Sequence, residues 1–196
     1  MANTRPSPSN ETSGDFSFVP SKEDCARYLG IAKEAIRERI EGRHGSKSEP
    51  HPDEARLGAF VTLNENGGLR GCIGRMESRD PLSVTIGAMA VAAAFEDPRF
   101  RPLSAAELDR ISVEITLLGP RRKIESPEAI ELGRHGVWIQ QGYASAVFLP
   151  QVAVEQGWDR PTLLRELCRK AGLRADAWKD SDSVLMVFEG FVFGDP

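Results

Sequence analysis

Two strand-length runs, Ala59–Leu63 and Leu69–Ile73, flank Asn64-Glu65-Asn66-Gly67-Gly68. No other stretch of the chain constrains the fold as strongly. Strand-length runs separated by several residues tolerant of positive φ predict a β-hairpin. The second run extends into Leu69-Arg70-Gly71-Cys72-Ile73-Gly74. Two glycines in one strand give up packing and conformational entropy. Something must therefore approach the backbone closely there, either another chain segment or a ligand. Strict alternation puts Leu69, Gly71 and Ile73 on one face and Arg70 and Cys72 on the other.

The remaining elements follow from caps and periodicity. Ser21, with Asp24 three residues on, opens a helix whose inward positions are Cys25, Tyr28, Leu29, Ala32, Ile36 and Ile40, and Gly42 stops it. Gly42–Glu54 is a polar connection carrying His44 and His51. Asp80 is expected to cap a helix that has Pro81 at its first position and runs to about Phe95; its alanines and Gly87 allow close packing. Asp97-Pro98 ends it. Ser104 and Glu107 form a second capping box. Ser112–Leu118 alternates as a strand with one wet face. Val137–Gln140 and Ser145–Leu149 read as a hairpin around Gln141-Gly142-Tyr143. Asp159 caps a helix to about Ala171 with Leu163, Leu164, Leu167 and Cys168 inward and Gly172 as terminator. Val184–Phe193 is a long apolar strand with a bend at Gly190. The order predicts an α+β fold with mainly antiparallel sheet and packed helices.

Met1–Asp15, rich in Ser, Pro, Asn and Thr, reads as a flexible polar tail ahead of one domain over 16–196. A chain of 196 residues suits one such domain or two tightly joined subdomains. A formal net charge of -4 argues against nucleic acid as a partner. A local basic patch at Arg99, Arg101, Arg121, Arg122 and Lys123 keeps a nucleic-acid-associated regulator as a minority reading. Cys25, Cys72 and Cys168 form no CxxC pair, which argues against a zinc site or disulfide framework and fits a reducing, cytoplasmic setting. Neither a signal peptide nor a membrane-spanning run is expected. Phosphate-cradling, dinucleotide and nucleophile-elbow motifs are absent from the sequence, so no cofactor or metal is expected.

Chemistry-bearing residues gather around the glycine-rich strand. A guanidinium beside a thiol favours the thiolate, so Arg70 and Cys72 form a candidate thiol site. The competing reading makes Cys72 a small buried filler and Arg70 a structural ion-pair residue. Arg99 is a candidate second guanidinium for a carboxylate or phosphate, or else a partner of Asp97. His135, in a turn before a strand, is the candidate base for Cys72 or an ordinary polar surface residue. Gln151, after Pro150, is a candidate ligand-reading amide. Gly71 and Gly74 would admit the ligand.

Phe60-Val61-Thr62-Leu63, Leu69-Arg70-Gly71-Cys72-Ile73-Gly74, Pro81-Leu82, Ala93-Ala94-Phe95, Asp97-Pro98-Arg99-Phe100, His135-Gly136, Leu149-Pro150-Gln151-Val152 and Gly157-Trp158-Asp159 resemble the AMMECR-type domain family. Its bacterial and archaeal members are called AmmeMemoRadiSam system protein A. The resemblance covers about Ser21 to Phe193, with LRGCIG the most specific motif. It implies an α+β fold with two subdomains forming a cleft, LRGCIG at or near that cleft, and association with a Memo-type protein and a radical SAM enzyme. The function expected is a small-ligand or substrate-handling component of such a modification system, thiol-dependent if catalytic. A non-catalytic protein-interaction module, accepting a partner segment along the glycine-opened strand, is the alternative.

Overall fold

A computed structural model describes residues 18–43 and 54–195. The polar tail Met1–Asp15 and the histidines His44 and His51 lie outside the described residues.

The hairpin forms as β1 (Gly58–Glu65) and β2 (Gly68–Arg75). Its turn is tighter than the pentapeptide suggests, because Asn64, Glu65 and Gly68 join the ladder. Only Asn66 and Gly67 remain, both at positive φ (53° and 78°), the signature of a two-residue type I′ turn. One irregularity matters for the site. Leu63 faces Gly71 and Asn64 faces Leu69, so Arg70 is the extra residue of a β-bulge. This corrects the simple alternation: Arg70 does not share an open face with Cys72 but is buried, at 8% exposure.

One face of this hairpin carries the helices. In α1 (Lys22–Ile40), Ser21 and Asp24 make the capping box that the sequence predicts. The second helix, α2 (Leu82–Phe95), starts one residue later than expected and Asp80 does not cap it. Pro81 takes the cap position, and the Leu82 N–H donates to the Ala55 carbonyl at 2.9 Å, so the first donor of the helix is satisfied by backbone. Asp80 instead lies 3.8 Å from Arg75. Tyr28, Ala32 and Ile36 of α1, Leu82, Ile86 and Ala90 of α2, and Ala59, Val61 and Leu63 of β1 share one core with Val113, Ile115 and Leu117 of β3 (Ile111–Leu118). Small residues set the spacing between the layers: a methyl at Gly71 would lie 2.2 Å from the Ala93 carbonyl oxygen of α2.

The second half contains β4 (Arg122–Lys123), β5 (His135–Gln141), β6 (Ala144–Phe148), α3 (Pro150–Glu155), α4 (Arg160–Lys170) and β7 (Val184–Gly194). Asp159 caps α4 through the Thr162 N–H, and Leu163, Leu164, Leu167 and Cys168 point inward as expected. They form a second core with Ile130, Ile139 and Val187. Neither β4 nor α3 is apparent in the sequence, where Pro150 reads as the end of a strand.

All pairings are antiparallel, in the order β2-β1-β3-β7-β5-β6, with β4 also on β7. The two halves are joined through β7: Val184–Glu189 pair with β5, and Gly190–Gly194 pair with β3. The sheet therefore curls at the predicted bend. There the Pro150 ring comes within 3.6 Å, and Thr116 within 3.4 Å, of where a side chain at Gly190 would begin. Thr116 is buried, so the outer face of β3 is wet only toward Ser112 and Glu114.

Candidate functional site

β2 ends the sheet, so its outer edge carries backbone groups with no neighbouring strand. At Cys72 two side chains take that strand's place. The Cys72 N–H donates to Asp97 Oδ2 at 2.9 Å, and its carbonyl accepts from Arg99 Nη2 at 3.3 Å. Arg99 and Asp97 are themselves paired at both oxygens, Nε to Oδ1 at 2.9 Å and Nη2 to Oδ2 at 2.7 Å. The local fold explains the placement: α2 stops at Phe95, and the turn at Asp97-Pro98 brings both residues against the edge. The Asp97 side chain is almost fully buried, whereas that of Arg99 is 54% exposed. Hydrogen bonding from the Arg99 side chain outweighs burial and, with the Cys72 and Arg99 amides, holds the Asp97 carboxyl far below the usual carboxylate range. Arg99 is raised by Asp97 and, more weakly, by the charge of Cys72.

The thiol belongs to the opposite side of the sheet from the helices. Cys72 faces Thr62 across the β1–β2 ladder, and Thr62 faces Glu114 across β1–β3. The Thr62 hydroxyl donates to Cys72 Sγ at 3.3 Å. Cys72 is half-buried, as is Thr62. Phe60 and Gly74 form the next cross-strand pair. A methyl at Gly74 would meet the Phe60 ring at 2.3 Å. Of the two reasons for close approach, a chain segment and a ligand, the chain supplies the first at both glycines: Ala93 at Gly71 and Phe60 at Gly74.

Arg70 braces the same connection from below. Its Nε donates to Glu107 Oε1 at 2.8 Å, with both side chains buried. Glu107 Oε2 accepts from the Ser104 N–H at 2.9 Å and hydroxyl at 2.6 Å, so the predicted capping box is also the anchor of Arg70. Those bonds, Arg70's first, lower the Glu107 carboxyl to about 2. The Arg70 guanidinium lies 6.0 Å from the Phe100 ring centre, and its Nη1 and Nη2 are buried with no hydrogen-bond partner among the described residues. Two ion pairs, Asp97–Arg99 and Arg70–Glu107, thus fasten the α2–β3 connection to β2.

His135 and Gln151 are placed elsewhere. His135 pairs with Glu189 on β7, and in the sheet order β1, β3 and β7 intervene between its strand and Cys72. It is buried, and its Nδ1 accepts the Glu131 N–H at 3.1 Å, which leaves the proton of the neutral ring on Nε2. Gln151 lies in the first turn of α3, its Oε1 buried and with no hydrogen-bond partner among the described residues. Both belong to the bend of β7. Thr62, Asp97 and Glu107 were not singled out as site residues by the sequence. Thr62 was the most accessible of them, because the hairpin register puts it opposite Cys72. Of the five residues of the basic patch, three are held in ion pairs, Arg99 with Asp97, Arg121 with Glu77 and Lys123 with Glu125. Among the described residues no three His, Cys, Asp or Glu side chains gather as metal ligands, and no helix is long and apolar enough to cross a membrane.

Residues 29–193 match the family model described as AMMECR1. A protein of Nanoarchaeum equitans is 40% identical over 83% of this chain and 96% of its own length. One of Methanopyrus kandleri is 41% identical over 87% of this chain and 88% of its own. The crystal structure of an uncharacterized protein from Pyrococcus horikoshii superposes with a TM-score of 0.80 at 35% identity, covering 89% of this chain and 93% of that one.

Proposed function

The chain belongs to the AMMECR1 family, and from that premise we propose that it handles a small substrate at the Cys72 thiol. Its setting is a modification system, with a Memo-type protein and a radical SAM enzyme as partners. One observation carries the thiol assignment. The backbone of Cys72 is gripped at its N–H and its carbonyl by the Asp97–Arg99 pair, while its sulfur accepts from the Thr62 hydroxyl and the residue is only partly buried. A filler cysteine needs no such mounting. A thiolate formed there meets the Thr62 O–H and the field of Arg99, whose exposed guanidinium also suits a carboxylate or phosphate on the substrate. Arg70 acts behind the site by holding the loop. Strand addition along β2, which an interaction module would need, is obstructed at Cys72 because its edge groups are already taken.

Limiting iodoacetamide on the folded chain, read by peptide mass spectrometry, tests this. Thiolates are the alkylated species. Burial, with the Asp24 charge adding to it, raises the Cys25 thiol; burial likewise raises Cys168, which is fully enclosed. Cys72 is expected to label first, Cys25 next and Cys168 only on unfolding. Labelling of Cys72 no faster than Cys25 overturns the thiol-dependent reading.

A further inference from the structure

A pocket of about 560 Å³ opens where the start of β1, the end of β2 and the end of β3 meet. Its size falls in the range of about 300–1,000 Å³ typical of small-molecule sites. Among the described residues three guanidiniums line it, Arg56, Arg79 and Arg121, against one carboxylate, Glu77. In a chain of net charge -4 this is a local excess of positive charge. The floor is backbone: any side chain at Gly58 would strike the Met76 carbonyl at 2.2 Å.

The three arginines are not equivalent. Arg121 is fixed, its guanidinium stacked 4.1 Å from the Trp138 ring centre and bonded to Glu77. Arg56 donates to the Arg79 carbonyl, which sets it at the rim. The Arg79 side chain is exposed and among the described residues makes no hydrogen bond or ion pair. Glu77 is 71% exposed while Arg121 is only 21% exposed. An exposed carboxylate on a stacked guanidinium is held weakly. It occupies the place of an anion and can swing into water at little cost.

We propose that this pocket is a second ligand site, for a small molecule with a phosphate or carboxylate head. Arg56 and Arg79 capture the anion at the rim, and Arg121 receives it as Glu77 leaves. Planar guanidiniums read either head group bidentately. Met76 and Leu57 give the ligand's body an apolar wall. The site is separate from Cys72 and stands or falls without it.

Calorimetric titration of the full chain with inorganic pyrophosphate, and separately with citrate, at constant ionic strength tests the assignment. One saturable site is expected for at least one probe, and the stronger probe identifies the head group. Arg79→Ala should weaken it about tenfold, the loss of a charge-assisted hydrogen bond. Glu77→Gln should tighten it about threefold, the worth of an exposed ion pair. Arg99→Ala should leave the Arg79-dependent binding unchanged, which separates this site from the guanidinium beside Cys72. The proposal is overturned if neither probe saturates, if Arg79→Ala binds like wild type, or if Glu77→Gln weakens binding.

Discussion

Glu107→Ala is expected to destabilise the fold by about 3–5 kcal/mol, the cost of leaving one member of a buried ion pair unpaired. Arg70 already has two buried nitrogens with no hydrogen-bond partner among the described residues, so loss of the Nε bond would strand the whole guanidinium. The Ser104 cap is lost with it. Urea unfolding at neutral pH measures the effect, and a loss below about 1 kcal/mol would show that the pair is not a structural anchor. Replacing both partners by apolar residues, Arg70→Met with Glu107→Leu, should recover most of the deficit, because no charge then remains to be desolvated. The pH dependence has a definite sign. Glu107 is lowered from 4.5 to about 2 in the fold, so its contribution is fully present above pH 4.5 and is lost as pH falls through that window. Asp97 shifts in the same direction and extends the loss into stronger acid. Glu107→Ala should therefore show a flatter stability profile than wild type between neutrality and pH 2.

Gly71→Ala is expected to cost about 2–4 kcal/mol, the upper end of overpacking penalties. The added methyl would sit 2.2 Å from the Ala93 carbonyl oxygen. That obstacle is helix backbone, so relief requires α2 to lift from β2. Gly87→Ala is the control with the opposite sign. Its methyl would meet Ile31 and Ala35 of α1 at 3.7 and 3.8 Å, ordinary contact distances. Removing a mid-helix glycine should then stabilise by about 0.5–1 kcal/mol. Thermal or urea unfolding of the two variants side by side decides the matter. Equal effects would mean that close approach of α2 is not the reason for glycine at 71.

The sequence made legible those features whose causes lie in neighbouring residues. The Ser21–Asp24 and Ser104–Glu107 boxes, the Asp159 cap and the hairpin over Asn64–Gly68 each need only a few contiguous side chains, and each is present, although the turn itself tightens to Asn66-Gly67. The bend at Gly190 was visible for the same reason. What was missed depends on distant partners. Strand β4 is two residues long and exists because β7 passes beside it. The six-residue α3 is too short to show a helical period. The first donor of α2, the Leu82 N–H, goes to the Ala55 carbonyl rather than to Asp80, and Arg70 left its face because of a bulge set by the whole hairpin. At the site, alternation made Cys72 a candidate but gave it Arg70 as its neighbour, where the fold places Arg99. The partners that mount it, Asp97 and Thr62, act through a chain reversal after α2 and through cross-strand register, neither of which a local pattern records.

The central claim is that Asp97 and Arg99 stand in for a neighbouring strand at Cys72 and thereby fix its thiol. Amide hydrogen exchange on this strand tests it most directly. Cys72 and Gly74 project their N–H groups from the same free edge, but of the two only the Cys72 N–H donates to Asp97. The Cys72 amide should exchange about a hundredfold more slowly than that of Gly74 in the wild-type chain, and Asp97→Ala should bring the two rates together. Equal rates for Cys72 and Gly74 in the wild-type protein, or a slow Cys72 amide that persists in Asp97→Ala, would contradict the claim.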